Sequence, residues 1–141
     1  MTNHKRRQIY ITEFDLDRLE DLIEKHRAKT SRDTRNLDEL EQELGKAEVV
    51  SPESIPPDVI TMNSRVRLED ADSGHATVYT LVFPADADVE KGKISILAPI
   101  GTAMIGYRVG DKITWDVPGG QKNLAVKEIL YQPESAGDYH L

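Results

Sequence analysis

The chain has 141 residues, 38% hydrophobic and 30% charged, which suits one ordinary domain or a small domain carrying a helical appendage. It contains no cysteine, so disulfides, thiolate metal sites and thiol nucleophiles are excluded. A net charge of −7 argues against broad electrostatic binding to nucleic acid and makes a protein the expected partner. No apolar run approaches the roughly 18 residues that span a membrane, so the expected location is cytoplasmic, away from membranes.

In chain order, Thr12 followed by Glu13, Phe14 and Asp15 reads as an N-cap with acids in the first helical turn, where they meet the positive end of the helix dipole. Leu16, Leu19, Leu22, Ile23 and His26 recur at helical spacing and form one narrow stripe. Asp21 and Lys25 add an i,i+4 pair of favourable polarity. The polar stretch from Ala28 to Asn36 breaks the stripe. Asn36, with Glu39 three residues on, restarts a helix whose stripe is Leu37, Leu40, Leu44 and Ala47. Two single-stripe helices joined by a short polar loop are expected to pair antiparallel, as a short coiled-coil hairpin reaching roughly 25 Å. Residues 1–50 therefore form a helical hairpin and 51–58 a linker, in which Ser51-Pro52 starts one helical turn and Pro56-Pro57 enforces extended chain.

From residue 59 to 141 the pattern is that of strands. Val59 to Leu68 and His75 to Phe83 read as two strands around a turn from Asp70 to Gly74. Ile94, Ile96 and Ala98 mark a third strand, Ile100 to Tyr107 a short helix packed by Met104 and Ile105, and Ile113 to Val117 and Leu124 to Tyr131 the last two strands. The predicted fold is α+β: the hairpin, then a mostly antiparallel sheet with one short helix.

Few residues invite chemistry. Gly101 and Gly106 copy the glycine spacing of a phosphate-binding loop, but Tyr107 and Arg108 stand where that loop needs Lys and a hydroxyl, so a structural pair is expected. Asp86, Asp88 and Glu90 alternate like a calcium loop without its glycine and distal glutamate. His4, His26, His75 and His140 lack metal-ligand spacing. No catalytic residue, cofactor or metal is expected. At the hairpin tip, Arg27, Lys29, Arg32 and Arg35 surround the single carboxylate of Asp33. That tip reads either as a solvated loop or as a contact for an acidic surface, and one acid among four cations is a poor cradle for a catalytic divalent metal.

The stretch from Ile55 to Val66, the run Ala98-Pro99-Ile100-Gly101 with Gly106, the turn Gly110-Asp111 and Pro118-Gly119-Gly120 together resemble the GreA/GreB transcript-cleavage factors, in order. The closing Tyr131 to Tyr139 is similar to one branch of that family, the regulators of nucleoside diphosphate kinase. The resemblance implies an FKBP-like C-terminal domain, and docking of a monomer on RNA polymerase near its secondary channel through Leu97, Ala98, Pro99 and Ile100. An acid often stands in those factors where this chain has Leu97. Cleavage factors also carry acids at the end of a much longer coiled coil, whereas this hairpin is short with a basic tip. The resemblance therefore implies a non-enzymatic regulator that occupies the docking place without stimulating cleavage. The alternatives are a prolyl isomerase or chaperone, by fold analogy alone, and a weak cleavage factor using Asp33 with Glu24 or Asp38.

Overall fold

The structure is a computed structural model that describes residues 9–29, 35–117, 119–139 and 141. Strand β1 (Tyr10–Thr12) runs straight into helix α1 (Glu13–Lys29), and helix α2 (Arg35–Gly45) leads out into strand β2 (Glu48–Val50). The Thr12 hydroxyl accepts the Asp15 N–H at 3.1 Å, which satisfies one of the orphan donors at the start of α1 and ends the strand there. Leu19 and Ile23 of α1 and Leu37, Leu40 and Leu44 of α2 are buried, while His26 is exposed and leaves the expected stripe. Lys25 and Asp21 pair at 3.0 Å on the outer face. The strands at the base are absent from the sequence reading. β1 and β2 pair in parallel, Tyr10 opposite Glu48 and Thr12 opposite Val50, and such a three-residue pair is too short for alternation to announce it.

The rest of the chain builds a five-stranded sheet from β3 (Arg65–Asp70), β4 (Ala76–Val82), β5 (Lys93–Ser95), β6 (Lys112–Val117) and β7 (Gly120–Tyr131), in the order β5-β4-β3-β7-β6. It is mixed: β3–β4, β3–β7 and β6–β7 are antiparallel, whereas the edge strand β5 lies parallel to β4. Helix α3 (Pro99–Met104) crosses the core side, and a four-residue helix α4 (Pro133–Ala136), not foreseen, follows β7. The class is α+β.

Two expected strands are shorter than their apolar pattern, for the same reason. The Ser64 hydroxyl accepts the Thr61 N–H at 2.9 Å and folds Thr61 to Ser64 into a tight corner, with Asn63 at φ 68°, so β3 begins only at Arg65. The Ser95 hydroxyl accepts the Leu97 N–H at 3.0 Å, and β5 stops there, leaving Ile96 buried outside any strand.

One hydrophobic cluster runs without a break from Leu19, Leu40 and Leu44 through Met62, Val66 and Leu68 to Met104, Ile113 and Val126. The stretch between the helices and the sheet is held by its own contacts. Pro52 opens a 3-10 turn (Pro52–Ser54), Ile55 and Val59 are buried, and the side-chain amide of Gln132 donates to the carbonyls of Pro56 (2.9 Å) and Val59 (2.7 Å). Among the described residues no helix is long and apolar enough to cross a membrane.

Candidate functional site

Three places bear on function: the loop from β5 into α3, the joint between α1 and the sheet, and the far end of the helices. The loop is built almost wholly from backbone and two hydroxyls. The Ser95 carbonyl accepts the Ala98 N–H at 3.0 Å, the Ala98 carbonyl accepts the Thr102 N–H at 2.9 Å, and the Thr102 hydroxyl donates to the Ile96 carbonyl at 2.6 Å. Pro99 takes the first helical position, where its missing N–H costs nothing. Gly101 is required by space, since a Cβ there would lie 2.0 Å from the Ser95 carbonyl oxygen. Gly106, at φ 82°, would put a Cβ 2.6 Å from Ile9 Cγ1. The two glycines thus serve close packing. Within the loop Leu97, Ala98 and Ile100 are half-buried, Leu97 and Ile100 against the core, and Pro99 is exposed. Of the four residues expected to bind a partner, Pro99 is the one the fold presents.

The joint was not legible in the sequence. Asp15, 2% exposed, bonds to the Arg18 guanidinium on its own helix and accepts the backbone N–H of Met62 from the corner before β3. Burial pushes its carboxyl up to about 6, with the bonds from Arg18 and Met62 pulling the other way and the Glu134 carboxylate adding to the rise. Glu134 in turn accepts the Thr61 hydroxyl at 2.8 Å. Arg18 stacks on Phe14 (3.9 Å to the ring centroid) and on Phe83 (4.5 Å), and donates to the Leu141 carbonyl at 2.7 Å. An Asp in the first turn of a helix signals only a dipole contact, so nothing in the chain order reveals this burial.

At the far end, Arg32 and Asp33 lie outside the described residues, as do the side chains of Lys29 and Arg35. Arg27, counted with that basic tip, instead reaches Asp38 (2.7 Å) and Glu41 (2.8 Å), so the end of α1 lies against the first turns of α2. Their hydrogen bonds and charges raise its already high pKa, led by Asp38. Among the described residues no group of three or more His, Asp or Glu is placed to hold a metal ion.

Residues 55–131 match the family model described as transcription elongation factor, GreA/GreB, C-term. The chain belongs to the GreA/GreB family. Residues 7–50 match a second model, the Rnk N-terminus, so the two matches meet across the Pro-rich stretch. The regulator of nucleoside diphosphate kinase of Escherichia coli is 42% identical over 94% of this chain and 96% of its own length. GreA of Bartonella henselae is 37% identical over 77% of this chain and 70% of its own. A solved GreA/GreB structure from Nitrosomonas europaea is 43% identical, covers 89% of this chain and all of its own, and superposes with a TM-score of 0.75. These GreA/GreB relatives are named as regulators and transcription factors, not as catalysts.

Proposed function

We propose that the chain is a regulator of transcription that docks on RNA polymerase near the secondary channel and competes there with cleavage-stimulating Gre factors, without stimulating cleavage itself. In this reading the helices are a short antiparallel hairpin and the sheet is an FKBP-like anchor. The chain acts as a monomer, and its link to nucleoside diphosphate kinase is regulatory. The observation that carries the reading is the Pro99 loop, in which an exposed proline is held on a rigid framework in a family whose named members act on transcription elongation. The lack of cleavage is supported by Asp38 and Glu41, two acids of the first turns of α2, which face the Arg27 guanidinium. A cleavage site would need carboxylates free to hold a divalent metal.

The test is binding of the purified chain to core RNA polymerase. Pro99→Ala is expected to weaken it at least five-fold, while replacement of residues 28–36 leaves it within two-fold. Wild-type chain is expected to displace a GreA factor and to leave RNA 3′ ends in stalled complexes untrimmed. Failure to bind core polymerase or to displace GreA overturns the reading, and trimming that depends on Asp33 overturns the absence of cleavage.

A further inference from the structure

The face of the sheet turned away from α3 carries an unusual distribution of charge. Val66 and Leu68 of β3 point into the core, so Arg65 and Arg67 point outward. The register sets Tyr131, Arg65, Thr80 and Lys93 side by side on β7, β3, β4 and β5. With strands about 4.8 Å apart, the backbones of Arg65 and Lys93 stand roughly 10 Å from each other. Two further cations of this face are paired, Arg67 with Glu128 and Lys127 with Glu69 at 3.9 Å, while Lys112, on the side of β6 opposite to the buried Ile113, forms no ion pair among the described residues. Arg65 and Lys93 form no ion pair among the described residues, in a chain whose net charge is −7.

These two cations flank a hollow of about 290 Å³ whose floor and walls include Val82, Tyr131 and Leu141. The Tyr131 hydroxyl is fixed by donating to Asp138, and the Leu141 carbonyl by accepting from Arg18 (2.7 Å) and from the Asn63 amide (3.3 Å). Asn63 sits at φ 68°, a conformation few non-glycine residues adopt, and it brings that amide to the rim. Arg18, which donates to the Leu141 carbonyl, also stacks on Phe14, which is 45% exposed although it is a large apolar side chain. Exposed aromatic and arginine side chains around a preformed hollow are the composition of a protein interface centre.

We propose that this outer face binds an acidic protein segment, with carboxylates received by Arg65 and Lys93 and an apolar side chain seated on Val82, Tyr131 and Leu141. Charge complementarity selects the occupant. Asp86 also lines the hollow, so a continuous polyanion such as RNA would meet a carboxylate there, whereas a protein segment can place separate carboxylates on Arg65 and on Lys93 alone. The identity of the partner rests on the polymerase reading above, and the surface is a second contact in addition to Pro99.

The experiment titrates labelled chain with core RNA polymerase at two or more salt concentrations. Arg65→Glu/Lys93→Glu is expected to weaken binding at least ten-fold and to flatten the salt dependence. The milder Arg65→Gln/Lys93→Gln is expected to lose about three-fold, with unchanged thermal unfolding for both. Unchanged affinity and salt dependence in both double variants overturn this inference and leave the Pro99 reading standing. No binding by the wild-type chain overturns both. Binding of a single-stranded RNA 12-mer that is abolished by the same substitutions overturns the assignment to an acidic protein segment.

Discussion

In the helical pair each helix buries one stripe, Leu19 and Ile23 on α1 and Leu37, Leu40 and Leu44 on α2, and leaves its remaining faces to water. In the sheet Val66, Leu68, Ile113 and Val126 are closed over by Met104 of α3, and the loop feeding α3 is threaded so tightly that backbone touches backbone. The difference shows where each region tolerates change. The helices hold through side chains that can be shortened or exchanged at a graded cost. The loop holds through backbone approach, which admits no intermediate. The presented residue, Pro99, stands on the less forgiving of the two.

The largest effect expected from breaking that contrast is at Gly101. Gly101→Ala sets a methyl against the Ser95 carbonyl and is expected to destabilise by more than about 4 kcal/mol, measured by urea unfolding. In the helices, Leu40→Ala is expected to cost about 3 kcal/mol, the usual range for emptying a fully buried leucine site. Because its cavity opens into the shared cluster, far-ultraviolet and near-ultraviolet signals are expected to shift together, and two separate transitions would show that helices and sheet unfold independently.

Asp15 tests the joint. Its carboxyl is about 6 in the folded chain against 3.8 when free, so the folded state holds the proton more tightly. Its contribution is complete below pH 3.8 and is lost as pH rises through about 6, on the order of 3 kcal/mol at about 1.4 kcal/mol per unit. Relative to Asp15→Asn, wild-type chain should lose that amount between pH 4 and pH 7, and parallel pH profiles would refute the burial effect. Asp70 has the opposite sign. The Lys122 ammonium, then the Asp72 and Ser73 N–H groups, hold it at about 2, so its contribution is lost only as pH falls from 3.8 through about 2. The smallest effect is at Gly45, whose Cβ would meet open space. Gly45→Ala is expected to stabilise by about 0.5–1 kcal/mol, the reverse of the same substitution at Gly101.

Much of the fold was legible because it follows from periodicity. The stripes of α1 and α2, the Thr12 cap and the hairpin from β3 to β4 all obey local rules. The strand ends at Ser64 and Ser95 were not, because a serine hydroxyl taking a backbone N–H overrides an apolar pattern that would otherwise continue. At the candidate site, the run around Pro99 carried a family resemblance, while the division of labour within it did not show. Leu97 and Ile100 are drawn half into the core by α3, and this depends on contacts with residues far away in the chain. The joint was hidden for the same reason: Asp15, Met62, Glu134 and Leu141 meet only after the whole chain has folded.

The parallel pairing of β1 with β2 has a mechanical consequence. The chain enters α1 and leaves α2 through two strands that are hydrogen-bonded to each other, so the helices are clasped at their base. Opening then has to start at the opposite end, where exposed pairs such as Arg27 with Glu41 offer little resistance. Amide hydrogen exchange along both helices should therefore slow steadily toward the clasp, with Glu48, whose N–H donates to the Ile9 carbonyl at 2.8 Å, among the most slowly exchanging positions of the helical segment. The pair behaves as forceps joined at the heel, in which the tips yield first and the grip on the sheet last.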